Sequence, residues 1–194
     1  MTTYDSRRYA LLNRWDPSHL RRIDRLLSIG PGDRVLEIGC GQGHLTEAIA
    51  SRGTDIIGVD ANPRAPEVAA NGRIRHMSAE SLDFEDRTFD AVISVHAIEH
   101  IPRLDQAFAE MVRVLKPGGH LVFVYPAEPI KGLYAVPSSI VLHGTPFKAR
   151  EVHCHKLWPR KVRRMLEPIG VKETAKEFSL LKTPQFTSAF EKIG

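Results

Sequence analysis

The chain has 194 residues, 42% of them hydrophobic, and a formal charge of +4 from 27 Lys and Arg against 23 Asp and Glu. That length suits one domain with a sizeable core, and the composition is ordinary for a soluble globular protein. No apolar run approaches the roughly 20 residues of a membrane span. The N-terminal Tyr4, Asp5, Arg7 and Arg8 do not read as the apolar core of a secretion signal, so a cytoplasmic location is expected. An excess of four cations is not by itself nucleic-acid evidence, because such partners need charge gathered on one face.

Residues 1–15 are polar, with the aromatics Tyr4, Tyr9 and Trp15. Asp16-Pro17 opens a helix: Asp16 can cap the free N–H groups and Pro17 fits the first helical position. Leu20, Ile23, Leu26 and Leu27 make its apolar face, Arg21, Arg22 and Arg25 fall elsewhere, and Gly30-Pro31-Gly32 stops it. Val35 to Ile38 reads as a buried strand holding one acid, Glu37. Gly39, Gly41 and Gly43 follow at alternate positions, and a helix is predicted over His44 to Ser51. Asp55 to Asp60 is a second strand ending in an acid. Ala61 to Gly72 is a poor helix containing Pro63 and Pro66. Ile74 to Met77 is a short third strand, and Phe89 to Val95 a fourth, apolar enough to be buried on both faces.

The pattern predicts a helix over Pro102 to Leu115, ended by Lys116-Pro117-Gly118-Gly119, and a fifth strand over Leu121 to Tyr125. The alternation then breaks. Four prolines and two glycines in residues 126–157 predict an irregular segment with at most a short helix. Pro159 to Ile169 is the last clear helix. Val171 to Leu181 and Phe186 to Ile193 are weaker strand candidates that could form a hairpin. Strand–helix alternation through Tyr125 argues a parallel sheet with helices on both faces. The expected organisation is one domain over 1–194: a helical segment 1–33, a core 34–125, the irregular segment 126–157, and the last helix and strands 158–194.

Strand, glycine loop and helix at Val35–Thr46 have the geometry of a nucleotide-type cofactor site. Without Cβ the loop backbone can take positive φ and come close to a ligand. The dinucleotide spacing G-x-G-x-x-G fails, because His44 stands three after Gly41, which disfavours a nicotinamide dehydrogenase. Glu37, two residues before the first glycine, suits an ammonium-bearing ligand better than a pyrophosphate. The stretch resembles motif I, E-x-G-x-G-x-G, of the class I S-adenosylmethionine (SAM)-dependent methyltransferases. Met77-Ser78-Ala79-Glu80-Ser81-Leu82-Asp83-Phe84 and Lys116-Pro117-Gly118-Gly119 resemble later motifs of type-11 members, in order and at the right intervals. The resemblance runs from about Val35 to Tyr125.

It implies a Rossmann-like, doubly wound α/β sheet of seven strands, mostly parallel with an antiparallel last strand, and SAM as cofactor. Gly39, Cys40, Gly41 and Gly43 would lie under the methionine tail, with Glu37 towards its ammonium. Asp60, followed by Ala61, would take the ribose hydroxyls. Ser78, Ala79 and Glu80 would flank adenine, with Ser78 standing where the family carries Asp. Ser94 would border the cofactor at the end of strand four. His96, just beyond, is the candidate general base, since histidine titrates near neutral pH. Tyr4, Tyr9, Trp15, His143, His153 and His155 are candidate walls of the acceptor pocket.

His153-Cys154-His155 is not expected to hold a metal, because adjacent residues of an extended segment point apart and no second ligand cluster with zinc spacing exists. Both cysteines, Cys40 and Cys154, are expected as reduced thiols. Lys148, Arg150, Lys156, Arg160, Lys161, Arg163 and Arg164 crowd one region opposite Glu151, a candidate site for an anion. The expected function is methyl transfer from SAM to an O or N atom of a small molecule, an anionic one included. The alternatives are RNA methylation, against which no Asn/Asp-Pro-Pro-aromatic tetrad follows strand four, and a non-catalytic SAM-binding module. Oligomeric state is not legible in the chain.

Overall fold

The computed structural model of the protein describes residues 16–68, 72–180 and 183–194. Strands β1 (Arg34–Ile38), β2 (Asp55–Asp60), β3 (Ile74–His76), β4 (Phe89–Val95), β5 (Leu115–Pro126), β6 (Val171–Ser179) and β7 (Gln185–Lys192) form one sheet of order β3-β2-β1-β4-β5-β7-β6. The pairs from β3 to β5 are parallel, and β7 is antiparallel to both β5 and β6. The two weak C-terminal patterns therefore do form a hairpin, and its second strand lies between β5 and β6. Strand order reverses direction at β1, between β2 and β4. In open α/β sheets the ligand crevice lies there, beyond the carboxyl ends of the strands.

The helices are α1 (Pro17–Leu26), α2 (His44–Ala50), α3 (Ala65–Val68), α4 (Leu104–Val114), α5 (Val136–His143), α6 (Ala149–Val152) and α7 (Pro159–Leu166). Successive strand residues face opposite sides. Val35, Ile56, Ala91 and Ile93 pack with Ile23 of α1, with Leu27 just beyond it, and with Leu45 and Ile49 of α2. Leu36, Ile38, Val92, Leu121 and Phe123 pack on the other side with Phe108 and Met111 of α4 and Val162 and Leu166 of α7. Glu37 shares the first side with Val35, which places its carboxylate under α2.

Three expectations change. Arg22, assigned off the apolar face of α1, is only 4% exposed; its charge is met by polar groups brought from β6 and β7. The Lys116–Gly119 turn does not separate helix from strand. α4 ends at Val114 and β5 begins at Leu115, with Phe89 opposite Leu115 and Ala91 already opposite His120. The turn is a bulge inside the ladder, clamped where Lys116 Nζ donates to both Asp90 oxygens (2.7 and 2.9 Å). The segment 126–157 is more helical than its prolines suggest. Pro137 sits in the first turn of α5, where its missing N–H costs nothing, and Pro146 likewise opens a 3-10 turn over Pro146–Lys148.

Gly39 ties the loop to the turn after β4. Its φ is +72°, and a Cβ there would stand 2.2 Å from Ala97 Cβ. Gly118 has a similar φ (+73°) with open space around it. Gly39→Ala should therefore cost ~2–4 kcal/mol, backbone strain plus overpacking. Gly118→Ala should cost only the backbone part, ~1–2 kcal/mol. Urea denaturation of the two variants reads the difference.

Candidate functional site

The glycine loop is drawn sideways onto β2. The N–H groups of Gly39 and Cys40 both donate to the Val59 carbonyl (2.8 and 3.1 Å). The Gly41 N–H donates to Asp60 Oδ2 (2.8 Å). Gly43, at φ +76°, precedes α2 with no side-chain cap. Cys40 is 3% exposed and packs with Ala65 and Ile74, and burial pushes its thiol well up. Its backbone belongs to the loop while its side chain belongs to the core. Both cysteines are free thiols.

Two acids face this loop from the strand ends. Glu37 is 4% exposed and accepts from the Thr46 hydroxyl at 2.5 Å. Burial raises its pKa to about 8, with Thr46 opposing and the Asp60 charge adding to the rise. No cation is among the groups that set it. Gly58 makes this arrangement fit: a Cβ there would stand 2.7 Å from Thr46 Oγ1 and 2.8 Å from Cys40 Cβ. Asp60 is also raised by burial, against the N–H bonds of Asn62 and Gly41. Oδ1 accepts from Asn62 N–H and Oδ2 from Gly41 N–H, both at 2.8 Å. Each oxygen has a second lone pair, so both can still accept a hydroxyl. Ala61 beyond it is exposed.

The segment after β3 divides. Ser78 is exposed, and its hydroxyl accepts from the Glu80 N–H (3.2 Å). Ala79 is buried with Leu82 in the core. Glu80 is committed elsewhere: Arg103 donates to it from its backbone N–H (2.9 Å) and from Nε (3.0 Å), which anchors the start of α4. Its carboxylate therefore braces the fold, leaving the Ser78 hydroxyl as the polar side chain at that edge.

Ser94 is fully buried, and its hydroxyl donates to the Ile38 carbonyl (3.0 Å) across β1 and β4. The chain then reverses through His96 at φ +52°, a left-handed conformation a histidine adopts only when held. Its N–H donates to the Val124 carbonyl (2.8 Å). Its ring is half-buried, with Nδ1 3.6 Å from Glu99 Oε1 and Nε2 2.9 Å from the Gln185 side chain. Hydrogen bonding orients the Gln185 amide: its oxygen accepts from Arg22 Nη1 (2.8 Å) and its nitrogen donates to His96 Nε2 (2.9 Å). Nε2 is then the acceptor, and Nδ1 carries the proton towards Glu99. Burial pulls the His96 pKa down, but Glu99 outweighs it, and the net direction is up. The His19 ring lies 5.3 Å from that of His96, and burial and the His96 charge push it down to about 4.

Glu99 is 1% exposed, with Oε1 also 4.0 Å from His100 Nε2 and Oε2 buried without a hydrogen-bond partner. Burial opposes its ionisation, but the surrounding histidines win and its pKa falls. Glu99, His100 and His153 each bring a ligand atom within 4.8 Å of the others. The carboxylate between them is already balanced by imidazoles, with His96 the nearest to it.

The acceptor-side histidines separate. His153 is buried with Nδ1 2.8 Å from Glu128 Oε1. His155 Nε2 bonds the Ile101 carbonyl (2.9 Å), and the Cys154 thiol donates to the His100 carbonyl (3.4 Å). His153 and His155 therefore do not share the open face that an extended segment would give them. His143 ends α5 with its Nε2 buried and unpartnered. Tyr4, Tyr9 and Trp15 lie outside the described residues. The basic cluster also divides. Arg163 stands 3.7 Å from Glu167 and 3.8 Å from Glu173. Arg160, Lys161 and Arg164 line a concavity of about 460 Å³ with Trp158 and Met165, shared with no glycine-loop residue. Glu99, Gln185, Arg22, His19 and Thr46 were not singled out from sequence; Glu99, three residues after His96, had the one local signal.

Glycine loop, strand-end acids and sheet reversal together define a Rossmann-like domain built for a nucleoside-type cofactor. Residues 36–123 match the family model described as a methyltransferase domain. The match places residues 36–123 with the methyltransferase domains and supports the class I SAM-dependent reading of the chain. It is 30% identical over 135 residues to a demethylmenaquinone methyltransferase of Tropheryma whipplei, covering 64% of this chain and 56% of that protein. It is 33% identical over 117 residues to a ubiquinone biosynthesis O-methyltransferase of Alkalilimnicola ehrlichii (56% and 47%), and 35% identical over 112 residues to the rice 24-methylenesterol C-methyltransferase 2 (52% and 31%). The matched stretch thus spans about half of the first two relatives and a third of the last. Among solved structures the fold is shared with the [4+2]-cyclase SpnF (TM-score 0.74, 17% identity, 91% of this chain and 81% of that one). It is shared as well with a methyltransferase from Mesorhizobium loti (0.72, 15%, 90% and 98%).

Glu37 gives a sign that can be measured without ligand. Its folded pKa of about 8 exceeds its ordinary value of 4.5, so the folded protein holds a proton the unfolded chain releases between them. Its contribution to stability is present below about pH 4.5 and lost as pH rises through 8. Thermal melts of wild type and Glu37→Gln across pH 5–9 should converge at low pH. At high pH the variant should be the more stable.

Proposed function

We propose that the protein transfers a methyl group from SAM to an oxygen or nitrogen of a small, largely apolar acceptor. The observation that carries this is the pair Glu37 and Asp60, buried acids on either side of a glycine loop; no cation is among the groups that set Glu37, and His76 is the smallest of the pulls on Asp60. A ligand bringing an ammonium and two vicinal hydroxyls answers both. Bound SAM supplies a methyl on a positive sulfur, and the chain supplies position and proton control. Glu37 holds the ammonium end, Asp60 the ribose, and Ser78 the adenine edge.

Across the crevice His96 and Glu99 form the base. Glu99 holds Nδ1–H and sets the ring, while the Nε2 lone pair, taken by the Gln185 amide, turns to an acceptor O–H or N–H that displaces that amide. Such a base favours O- or N-methylation over transfer to carbon. The quinone and sterol acceptors in the relatives' names support a small apolar substrate. The Arg160, Lys161 and Arg164 concavity supports an anionic group on it, or on the surface that delivers it.

A tritiated-methyl screen of cell metabolite extract, with mass identification of the labelled product, tests the reading; no labelled product despite measured SAM binding overturns it. Asp60→Ala should weaken SAM by ~1–3 kcal/mol in calorimetry, and unchanged affinity would remove the ribose assignment. His96→Ala should lower transfer about 100- to 10,000-fold with SAM affinity kept. A base must be unprotonated to act, so transfer by the wild type should fall as pH drops through the raised His96 pKa. Glu99→Gln removes the raising charge and should move that fall to lower pH; an unmoved profile would return Glu99 to a packing role.

A further inference from the structure

The helical run from the 3-10 turn Leu133–Ala135 through α5 is inside out. Gly132, Ala135 and Ser139 are its buried positions, and the Ser139 hydroxyl donates to the Thr145 carbonyl (2.6 Å). The run is held to the protein on that side, where Ala135 packs with Ala149 and Val152 of α6. The opposite stripe is Leu133, Pro137, Ile140 and Val141, spaced as one helix face, and all four are exposed. Leu133, Ile140 and Val141 are 44%, 49% and 36% exposed, and the stripe has no polar side chain. Ile130 before it and Phe147 after it are 56% and 93% exposed. A helix apolar all round belongs in a core, and an apolar patch left outside marks a contact surface.

The charge around it is mainly positive, with Glu128 buried and Glu151 the one exposed acid at its edge. Residues 129–150 contain Lys131, Lys148 and Arg150 and no Asp or Glu. Lys156, whose ammonium bonds the Pro129 carbonyl and lies over the Trp158 ring, ties the start of this element to α7. There Trp158, 43% exposed, borders the concavity of Arg160, Lys161 and Arg164. Apolar side chains flanked by cations, with an aromatic beside them, match an anionic bilayer: headgroups meet the cations and the acyl boundary takes the side chains. Phe147 projects almost wholly bare, as insertion into a fluid phase requires. No helix among the described residues is long and apolar enough to cross a membrane, so the element lies on the surface.

We propose that Ile130–Phe147 is a membrane-docking element that seats the protein on anionic phospholipid, with Ile140 and Phe147 entering the acyl boundary. The bilayer then becomes the source of the acceptor, a corollary resting on the proposed methyl transfer. Vesicle co-sedimentation needs neither SAM nor acceptor, so the two readings fail separately.

The test uses the full chain with vesicles of phosphatidylcholine containing phosphatidylglycerol, and vesicles of phosphatidylcholine alone. The wild type should bind the anionic vesicles, more weakly at high salt, and the neutral ones less. Ile140→Asp with Phe147→Asp should weaken binding about tenfold or more. Lys148→Glu with Arg150→Glu, which leaves the apolar stripe intact, should lose the salt-sensitive part. Ile193→Asp, at a residue 60% exposed elsewhere, should bind as wild type. Unchanged circular dichroism and melting temperature certify that each variant is folded. No binding by the wild type overturns the proposal, as does equal binding by folded forms of both double variants. So does a wild-type dimer in light scattering that Ile140→Asp with Phe147→Asp dissolves, since a second copy would then cover the stripe.

Discussion

The structure depends on two carboxylates kept in a low-dielectric place without a counter-ion. Burying an acid is costly unless something meets its charge. Among the described residues Glu37 is met by the Thr46 hydroxyl and the Thr46 backbone N–H, and Asp60 by two backbone N–H groups and the lesser pull of His76. The fold spends much of its local design on this. Gly58 lacks a side chain so that Thr46 and Cys40 fit beside it. Gly41 turns its N–H to Asp60, and the loop is tied back to Val59. Each feature makes sense if the missing charge arrives with a ligand. The energy withheld in the free protein then returns as affinity, selective for cationic over anionic ligands.

The acceptor side has the opposite economy, because its acids have partners of their own, the buried Glu99 Oε2 excepted. Glu99 is enclosed by His96 and His100, Glu128 by His153 and two backbone N–H groups, and Arg22 by Ser179 and Gln185. The left-handed turn at His96 makes this set possible, since it aims the ring across β5 to the start of β7 rather than along β4. Strain at such a residue persists only where its surroundings over-determine it. Here a backbone bond to Val124 and contacts at both ring nitrogens do so. One half of the crevice holds acids that lack an ion-pair partner, while the other half holds acids already paired with imidazoles.

This contrast explains what could be read in the chain. The glycine loop, Asp60 and the strands from Val35 to Val95 are local: each rests on residues within a few positions, so pattern and propensity reveal them. The Lys116–Gly119 turn was legible as a motif but not as a bulge, because its place in the ladder depends on Asp90, 26 residues earlier. Arg22 and Gln185 were invisible, being 163 positions apart and meaningful only through His96. For Glu80 the motif hid a partner, because Arg103, 23 positions later, holds its carboxylate. The prolines of 126–157 misled differently. A proline count argues against helix, whereas proline position, at the first turn of α5 and of the Pro146 turn, permits it.

The same segment shows why composition alone misjudges a surface. Val136–His143 carries enough apolar residues to pass for a core helix, yet the side it turns inward is marked by Ser139. Its packing is set at both ends. Gly132 lies so close to the Ala149 backbone that a Cβ would stand 2.8 Å away, and the Glu128 carboxylate holds the N–H groups of Gly132 and Tyr134. Glu128 in turn pairs with His153, whose ring lies 4.7 Å from that of His100, next to Glu99. One chain of contacts thus runs from the exposed apolar stripe, through Glu128 and His153, to the carboxylate that orients His96.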